Sequence, residues 1–230
     1  MTIQRQAPVY VEKWRKTIYQ GRFVALLDIT YEEDGRELHR HLLQEAGSGN
    51  GTYVVALTDD GMVVFNKQYR AGHGFQVEFP AGRPDPKEDP GKAALRELLE
   101  ETGYIADEAV LLGQGPVLSG TTLQVTFFYL TRIRGFAGQK LEVYADTEDH
   151  VFDEDAIETF LVPLENAEDF IIGLLQTGSG DPKMLAVLGL AINYLYRSPT
   201  EYVKFWLKIW QNRAKNWLKN QTKKEGRQNV

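Results

Sequence analysis

Between Phe75 and Tyr104 the chain prescribes a strand, a loop and a helix in fixed order, and no other stretch narrows its fold as much. Phe75 to Phe79 reads as a strand running into Pro80-Ala81-Gly82. Pro80 has no N–H for a sheet ladder, so the strand ends there or lies at an edge. Gly82 then begins a turn in which backbone can come close to a metal ion or a phosphate. Lys92 to Thr102 holds Ala, Leu, Arg and Glu with no β-branched residue before Thr102, which predicts a helix. Pro90 sits at a tolerated first-turn position, and Gly103 sits where a left-handed C-cap belongs. Glu97 is related to Glu100 by i,i+3 and to Glu101 by i,i+4, so three carboxylates share one helix face. Leu95, Leu98 and Leu99 are expected to give the other side its buried surface.

Three like charges so close repel, and a divalent cation resolves the repulsion. The cluster is all oxygen, which suits Mg²⁺ or Mn²⁺ and does not suit zinc, since neither Cys nor suitably spaced His accompanies it. Taken alone, a Glu-Leu-Leu-Glu-Glu string is usually a solvated acidic face. The register of Gly82, Glu88 and Arg96 around it turns the reading toward a metal site that binds a diphosphate and activates a water.

Gly82, five residues, Glu88, seven residues, then Arg96-Glu97-Leu98-Leu99-Glu100-Glu101-Thr102-Gly103-Tyr104 resembles the complete Nudix box. That box is the signature of hydrolases that cut a diphosphate linked to another moiety. The resemblance implies that the Ala81 carbonyl, just before the glycine, is a metal ligand beside Glu97, Glu100 and Glu101. Glu88 and Arg96 look like a supporting pair that braces loop against helix and orients Glu97; as an isolated surface pair they would contribute little.

From about Trp14 to Tyr196 the chain is similar to the ADP-ribose pyrophosphatase branch of that superfamily. The marks are Gln68-Tyr69-Arg70, Glu78-Phe79-Pro80-Ala81-Gly82 and Leu161-Val162-Pro163-Leu164. In that branch an N-terminal hairpin sheet is exchanged between two subunits and the active site is built at the interface, so a homodimer is implied. A mobile loop there often supplies a glutamate that positions or deprotonates the attacking water. By register Glu154 is the first choice, with Asp153 and Asp155 beside it, and a box carboxylate such as Glu97 is the alternative base. The expected catalytic set is thus Glu97, Glu101 and Glu154.

Two further residues are candidates for substrate contact. Arg70 follows a strand shortly before the metal loop, well placed for a phosphate or a terminal sugar. Glu78 is a strand carboxylate on the same side as Pro80. One departure bears on the substrate. ADP-ribose enzymes commonly carry a proline some sixteen residues past the final box glycine, and here that position is Ser119. GDP-mannose, or a broad range of sugar nucleotides, therefore stays open beside ADP-ribose. His39, His41, His73 and His150 are scattered, and none reads as a ligand.

Along the chain, two β-like runs (Trp14 to Tyr31 and Glu37 to Glu45) are split by Glu32-Glu33-Asp34-Gly35, a hairpin signal. Strands are expected at Tyr53 to Leu57, Met62 to Tyr69, Val110 to Gly113, Thr122 to Ile133 and Thr159 to Pro163. Helices are expected at Leu164 to Gln176 and Pro182 to Tyr196. The fold class is α/β (α+β): a Nudix α/β/α sandwich with a mixed sheet, an N-terminal β-hairpin sheet and a C-terminal amphipathic helix. The division is 1–50, a β-rich dimerisation segment; 51–199, the hydrolase domain; and 200–230, a basic helix and tail.

Composition removes several classes. No cysteine is present, so disulfides, thiol catalysis and thiolate metal sites are excluded. A net charge of −6 argues against a general nucleic-acid surface. No signal-like core opens the sequence, and a cytoplasmic protein is the expectation. Residues 201–230 nevertheless carry eight Lys or Arg against two acids, leaving −12 on the first 200 residues. Val203, Trp206, Leu207, Trp210, Ala214, Trp217 and Leu218 recur there at helical spacing, interleaved with lysines. That face is expected to pack on the acidic body of its own dimer, with an anionic membrane or a partner protein as the alternative.

The resulting expectation is Mg²⁺-dependent hydrolysis of a nucleoside diphosphate sugar, first ADP-ribose to AMP and ribose 5-phosphate. The competing class is a non-catalytic nucleotide-sugar sensor. An intact carboxylate triad and the lack of a DNA-binding domain argue against it.

Overall fold

The computed structural model describes residues 10–45, 49–138 and 157–197, with residues 203, 206, 207, 209–211 and 214 of the C-terminal stretch. Three strands come first: β1 (Val11–Gln20), β2 (Val24–Glu33) and β3 (Arg36–Glu45). They form an antiparallel sheet of their own in the order β1-β2-β3. The Asp34-Gly35 turn joins β2 to β3, with Glu33 paired to Arg36. The run from Trp14 to Tyr31, expected as one piece, is two strands. It turns at Gly21, whose N–H donates to the Val24 carbonyl at 2.9 Å. A lone glycine inside an apolar run signals a bulge as readily as a turn, and no Asn-Gly or Asp-Gly pair marks the reversal. Ala25, Leu27, Ile29 and Leu42 form a small core, with Tyr31 and Leu123 against it.

The second sheet has seven strands: β4 (Asn50–Leu57), β5 (Met62–Arg70), β6 (Gly74–Glu78), β7 (Ala81–Gly82), β8 (Tyr104–Gly115), β9 (Val125–Phe136) and β10 (Glu158–Pro163). Its main path is β10-β5-β4-β9-β8, with β6 on β5 and β7 on β4. β4 and β9 are parallel and the remaining pairs antiparallel, which makes the sheet mixed. Tyr53-Val54-Val55-Ala56-Leu57 is apolar without a break because both faces of β4 are covered. Val54 and Ala56 look toward α1 (Pro90–Thr102), meeting Ala94 and Leu98. Val55 and Leu57 look the other way, into a core shared with α2 (Leu164–Thr177) and α3 (Lys183–Leu195). This is the mixed-sheet sandwich expected from the order of elements.

The C-terminal stretch joins the second core through a residue outside the predicted stripe. Ile209 is buried there, with Trp206 packed alongside. A Cβ on Gly61 would come within 2.6 Å of Ile209, so the helical residues lie directly on the β4–β5 turn. Val203, Leu207 and Trp210 are exposed. Among the described residues no helix is long and apolar enough to cross a membrane.

Candidate active site

The site exists because β4 and β5 part. They share one direct pair, Leu57 with Val63. Beyond it, β6 pairs along β5 (Asn66 opposite Glu78), and β7 pairs along β4 (Tyr53 opposite Ala81, Thr52 opposite Gly82). Phe79 and Pro80 carry the chain from one side of the gap to the other. The missing N–H of Pro80 breaks no ladder at that crossing, and its carbonyl accepts from the Val54 N–H at 3.0 Å.

Helix α1 is laid over this gap by its caps. Asp89 is the N-cap, its carboxylate accepting from the N–H groups of Gly91 (3.0 Å) and Lys92 (3.1 Å). Gly103 ends the helix at φ 73°, its N–H donating to the Leu99 carbonyl at 2.8 Å. Which face turns inward corrects the sequence expectation. Ala94, Leu98 and Glu101 lie along one stripe and are buried together, whereas Leu95 and Leu99 are only partly buried. The carboxylates and the buried leucine thus share a face; the helix presses its acids onto the sheet.

Two separate networks hold the three glutamates. Arg96 is the hub of the first. Its Nε and Nη2 donate to the two Glu88 oxygens at 3.1 and 3.0 Å, and Nη1 donates to Glu97 at 3.0 Å and Glu100 at 2.8 Å. Nη2 also reaches the Arg83 carbonyl at 2.9 Å, tying helix to loop. Hydrogen bonding to Glu88, reinforced by the charges of Glu97 and Glu100, raises Arg96 above its ordinary pKa against the opposing pull of burial. The same bond lowers the Glu88 carboxyl. Glu101 takes its hydrogen bonds from neutral groups, Asn66 Nδ2 at 2.8 Å and the Ala81 N–H at 3.0 Å, both on Oε2, and the Arg70 charge acts on it too.

A Cβ on Gly82 would lie 2.0 Å from Glu97 Cδ, so any side chain there would have to displace that carboxylate from the loop backbone. Among the described residues no three Asp, Glu or His side chains converge into a closed metal site. The donor set is nonetheless all oxygen and faces the Ala81–Gly82 backbone, and a Mg²⁺-type ion, which keeps several waters, takes only part of its shell from protein.

Arg70 and Glu78 hold each other. Arg70 Nε and Nη2 donate to the two Glu78 oxygens at 3.0 and 2.7 Å in a bidentate pair. That hydrogen bonding raises the Arg70 pKa. Nearby, the buried Tyr53 hydroxyl donates to Asp181 at 3.1 Å; burial, then the charges of Asp181 and Glu78, keep it protonated well above its usual range.

A NUDIX domain model matches residues 48–174, more than half of the chain. The chain belongs to the NUDIX family. An ADP-ribose pyrophosphatase of Bacillus subtilis (strain 168) is 30% identical over 166 residues, covering 66% of this chain and 78% of that protein. A methanol dehydrogenase activator of Bacillus methanolicus is 30% identical over 154 residues, covering 64% of this chain and 82% of that protein. A crystal structure of an ADP compounds hydrolase superposes with a TM-score of 0.63 at 16% identity, covering 84% of this chain and 97% of that chain, which is a likeness of fold. The chain is a hydrolase of the NUDIX family, with ADP-ribose pyrophosphatase-like relatives.

In this Nudix chain Ala81, Gly82, Glu88, Arg96, Glu97, Glu100 and Glu101 converge on one loop–helix junction, and the Arg70–Glu78 pair lies on the neighbouring hairpin. Glu154, with Asp153 and Asp155, lies outside the described residues. Sequence reasoning passed over Asn66 and Thr159, whose signal was a polar residue interrupting Val63-Val64-Phe65-Asn66. It also passed over Glu45, which links the first sheet to the loop before α1 through Arg83 at 3.0 Å. That pair joins residues far apart in sequence and leaves no local pattern.

Proposed function

We propose that this hydrolase cleaves the diphosphate bond of a nucleoside diphosphate sugar, with ADP-ribose, split to AMP and ribose 5-phosphate, as the first candidate. The observation that carries the reading is the junction of Glu97, Glu100 and Glu101 with the Ala81–Gly82 turn, in a chain similar to an ADP-ribose pyrophosphatase. Glu97, Glu100, Glu101 and the Ala81 carbonyl would hold Mg²⁺, or Mn²⁺ in its place. When bound, such an ion neutralises charge on the diphosphate oxygens and makes a bound water a better nucleophile.

The chain's own residues do the rest. Arg96 braces the loop through Glu88 and the Arg83 carbonyl, so Glu97 and Glu100 keep their position as charge builds on the substrate. Arg70 offers its guanidinium to the remote phosphate or sugar, and Glu78 sets its direction. Glu154 is the first candidate to position or deprotonate the attacking water, with Asp153 and Asp155 beside it in sequence. Residues 1–50 serve as the dimerisation segment of a homodimer, and the exposed side chains Trp14, Ile18 and Tyr19 on β1 support that reading. Aromatic side chains of that segment are available to stack on the base.

The test is a panel of nucleoside diphosphate sugars incubated with Mg²⁺ or with EDTA, products read by phosphatase-coupled phosphate release. One strongly preferred, metal-dependent substrate supports the proposal and names the sugar nucleotide; GDP-mannose in that place would replace ADP-ribose. No release from any member by folded protein would sink it. Glu97→Gln separates an enzyme, which loses turnover, from a sensor, which keeps its ligand response.

A further inference from the structure

We propose that Asn66 is a positioning residue for Glu101, part of a neutral hydrogen-bond chain that aims the Glu101 carboxylate at the metal; the inference rests on the metal reading above. Asn66 is on β5 with none of its surface exposed. It lies two residues after Val64, on the face that packs against α1, where an apolar side chain would be the ordinary choice. A buried amide is costly unless its groups are paired.

Here the pairing is directional. Thr159, opposite Asn66 in the β10 register, brings its hydroxyl to 3.2 Å from Asn66 Oδ1 and 3.3 Å from the Glu101 carbonyl. An ionised carboxylate only accepts, so the end of the amide that faces Glu101 is Nδ2, donating to Oε2 at 2.8 Å, and Oδ1 is left to accept from the Thr159 hydroxyl. The Ala81 N–H reaches the same oxygen at 3.0 Å. Two donors on Oε2 set the rotation of the carboxylate and therefore the direction in which Oε1 points.

The chemistry of the donors matters as much as their placement. Arg96 holds Glu97 and Glu100 with a full positive charge, which opposes a cation at those two groups. An amide and a backbone N–H orient Glu101 by neutral hydrogen bonds that do not cancel its charge, in contrast to the Arg96 contacts of Glu97 and Glu100, while the Arg70 charge acts on Glu101 as well. Groups behind a metal ligand that fix its orientation typically change metal affinity or activity by about 10- to 100-fold when removed.

The experiment measures Mn²⁺ binding by the full chain, without substrate, from the electron paramagnetic resonance signal of free Mn²⁺. Asn66→Leu removes the donor at similar volume and is expected to weaken Mn²⁺ binding by about 10-fold or more. Thr159→Val removes a contact to Oδ1 and leaves the Nδ2 donor in place, so it should weaken binding less than Asn66→Leu does. Thr131→Val removes another buried hydroxyl, on β9 and donating to the Glu108 carbonyl of β8, and should leave binding unchanged. Folded Asn66→Leu with unaltered Mn²⁺ affinity would make Asn66 a packing residue and overturn the inference. Should that variant fail to fold, Asn66→Ala, which removes the same donor with a smaller side chain, decides, and unchanged affinity in it overturns the inference equally. Loss of affinity in Thr131→Val as well would mark a general packing effect and count against it. Absence of Mn²⁺ binding by the unaltered chain is a different result, which overturns the metal reading beneath.

Discussion

The two sheets are built from similar alternating, β-branched and aromatic sequence, yet they end in different states. In the seven-stranded sheet Val54, Val55, Val63, Val64 and Phe65 are fully buried, because α1 covers one face and α2 and α3 the other. In the three-stranded sheet β1 is exposed along its whole length, Trp14, Ile18 and Tyr19 included. Only Ala25, Leu27, Ile29 and Leu42 find a core there, and no helix is inserted among those strands. A sheet needs a second layer to bury its apolar face. The larger one receives it from its own chain, and the smaller one is left to be completed by a second copy in the homodimer proposed above. The two regions are in contact: Leu43 exchanges backbone hydrogen bonds with Thr121 and Leu123, and Glu45 holds Arg83 of the loop before α1.

The contrast can be broken first at the centre of the larger sheet. Phe65→Ala removes a fully buried ring that packs on Phe79, Phe160 and Phe170, and should cost about 3–5 kcal/mol of stability in urea unfolding. A loss under 1 kcal/mol would mean that this core is not the stabilising centre described. Gly82→Ala acts where the larger sheet meets its helix. Its methyl must displace Glu97, and turnover should drop by about 100-fold, or ~2.7 kcal/mol of barrier. Near-normal turnover would show that the close approach of loop and carboxylate is dispensable.

Substitutions in β1 sharpen the comparison from the other side. Trp14→Glu with Ile18→Lys alters exposed side chains only, so unfolding of the larger sheet should keep its midpoint while the dimer dissociates at least 10-fold more readily, about 1.4 kcal/mol. Sedimentation at several concentrations reads this directly. Unchanged association would remove β1 from the interface.

The smallest effect belongs to Glu88→Gln. Hydrogen bonding from Arg96 lowers the Glu88 carboxyl, so its contribution is present above the ordinary glutamate range and is lost as pH falls through the lowered value. The variant should be about 1 kcal/mol less stable at pH 7 and equal to the unaltered chain in acid. A difference that persists undiminished in acid would assign the loss to packing.

Much of the candidate site was legible because its grammar is local. Asp89, Pro90 and Gly103 bound α1, and the spacing of Glu97, Glu100 and Glu101 puts them on one face whatever surrounds the helix. The spacing of 97, 100 and 101 does not say which way that face turns. The docking of Ala94 and Leu98 onto Val54 and Val64 settled that, burying Glu101 and leaving Leu95 and Leu99 nearer the surface. The run from Trp14 to Tyr31, expected as one strand, reverses at Gly21 into two that pair with each other. Ile209 falls outside the Trp–Leu stripe and is the residue that enters the core, as it lies over Gly61.

By itself, then, the sequence determined the helix that carries the carboxylates, its ends, the glycine that lets the loop approach, and the order of strands around it. These follow from propensity, capping and spacing, which depend on residues a few positions apart. Only the tertiary structure decided that β4 and β5 part to admit β6 and β7, that Asn66 holds Glu101, and that one sheet is covered and the other is not. The hydrogen bonds of Asn66 with Glu101 and Thr159 span 35 and 93 positions. Such contacts depend on register and on which faces meet, and neither is written in any one segment.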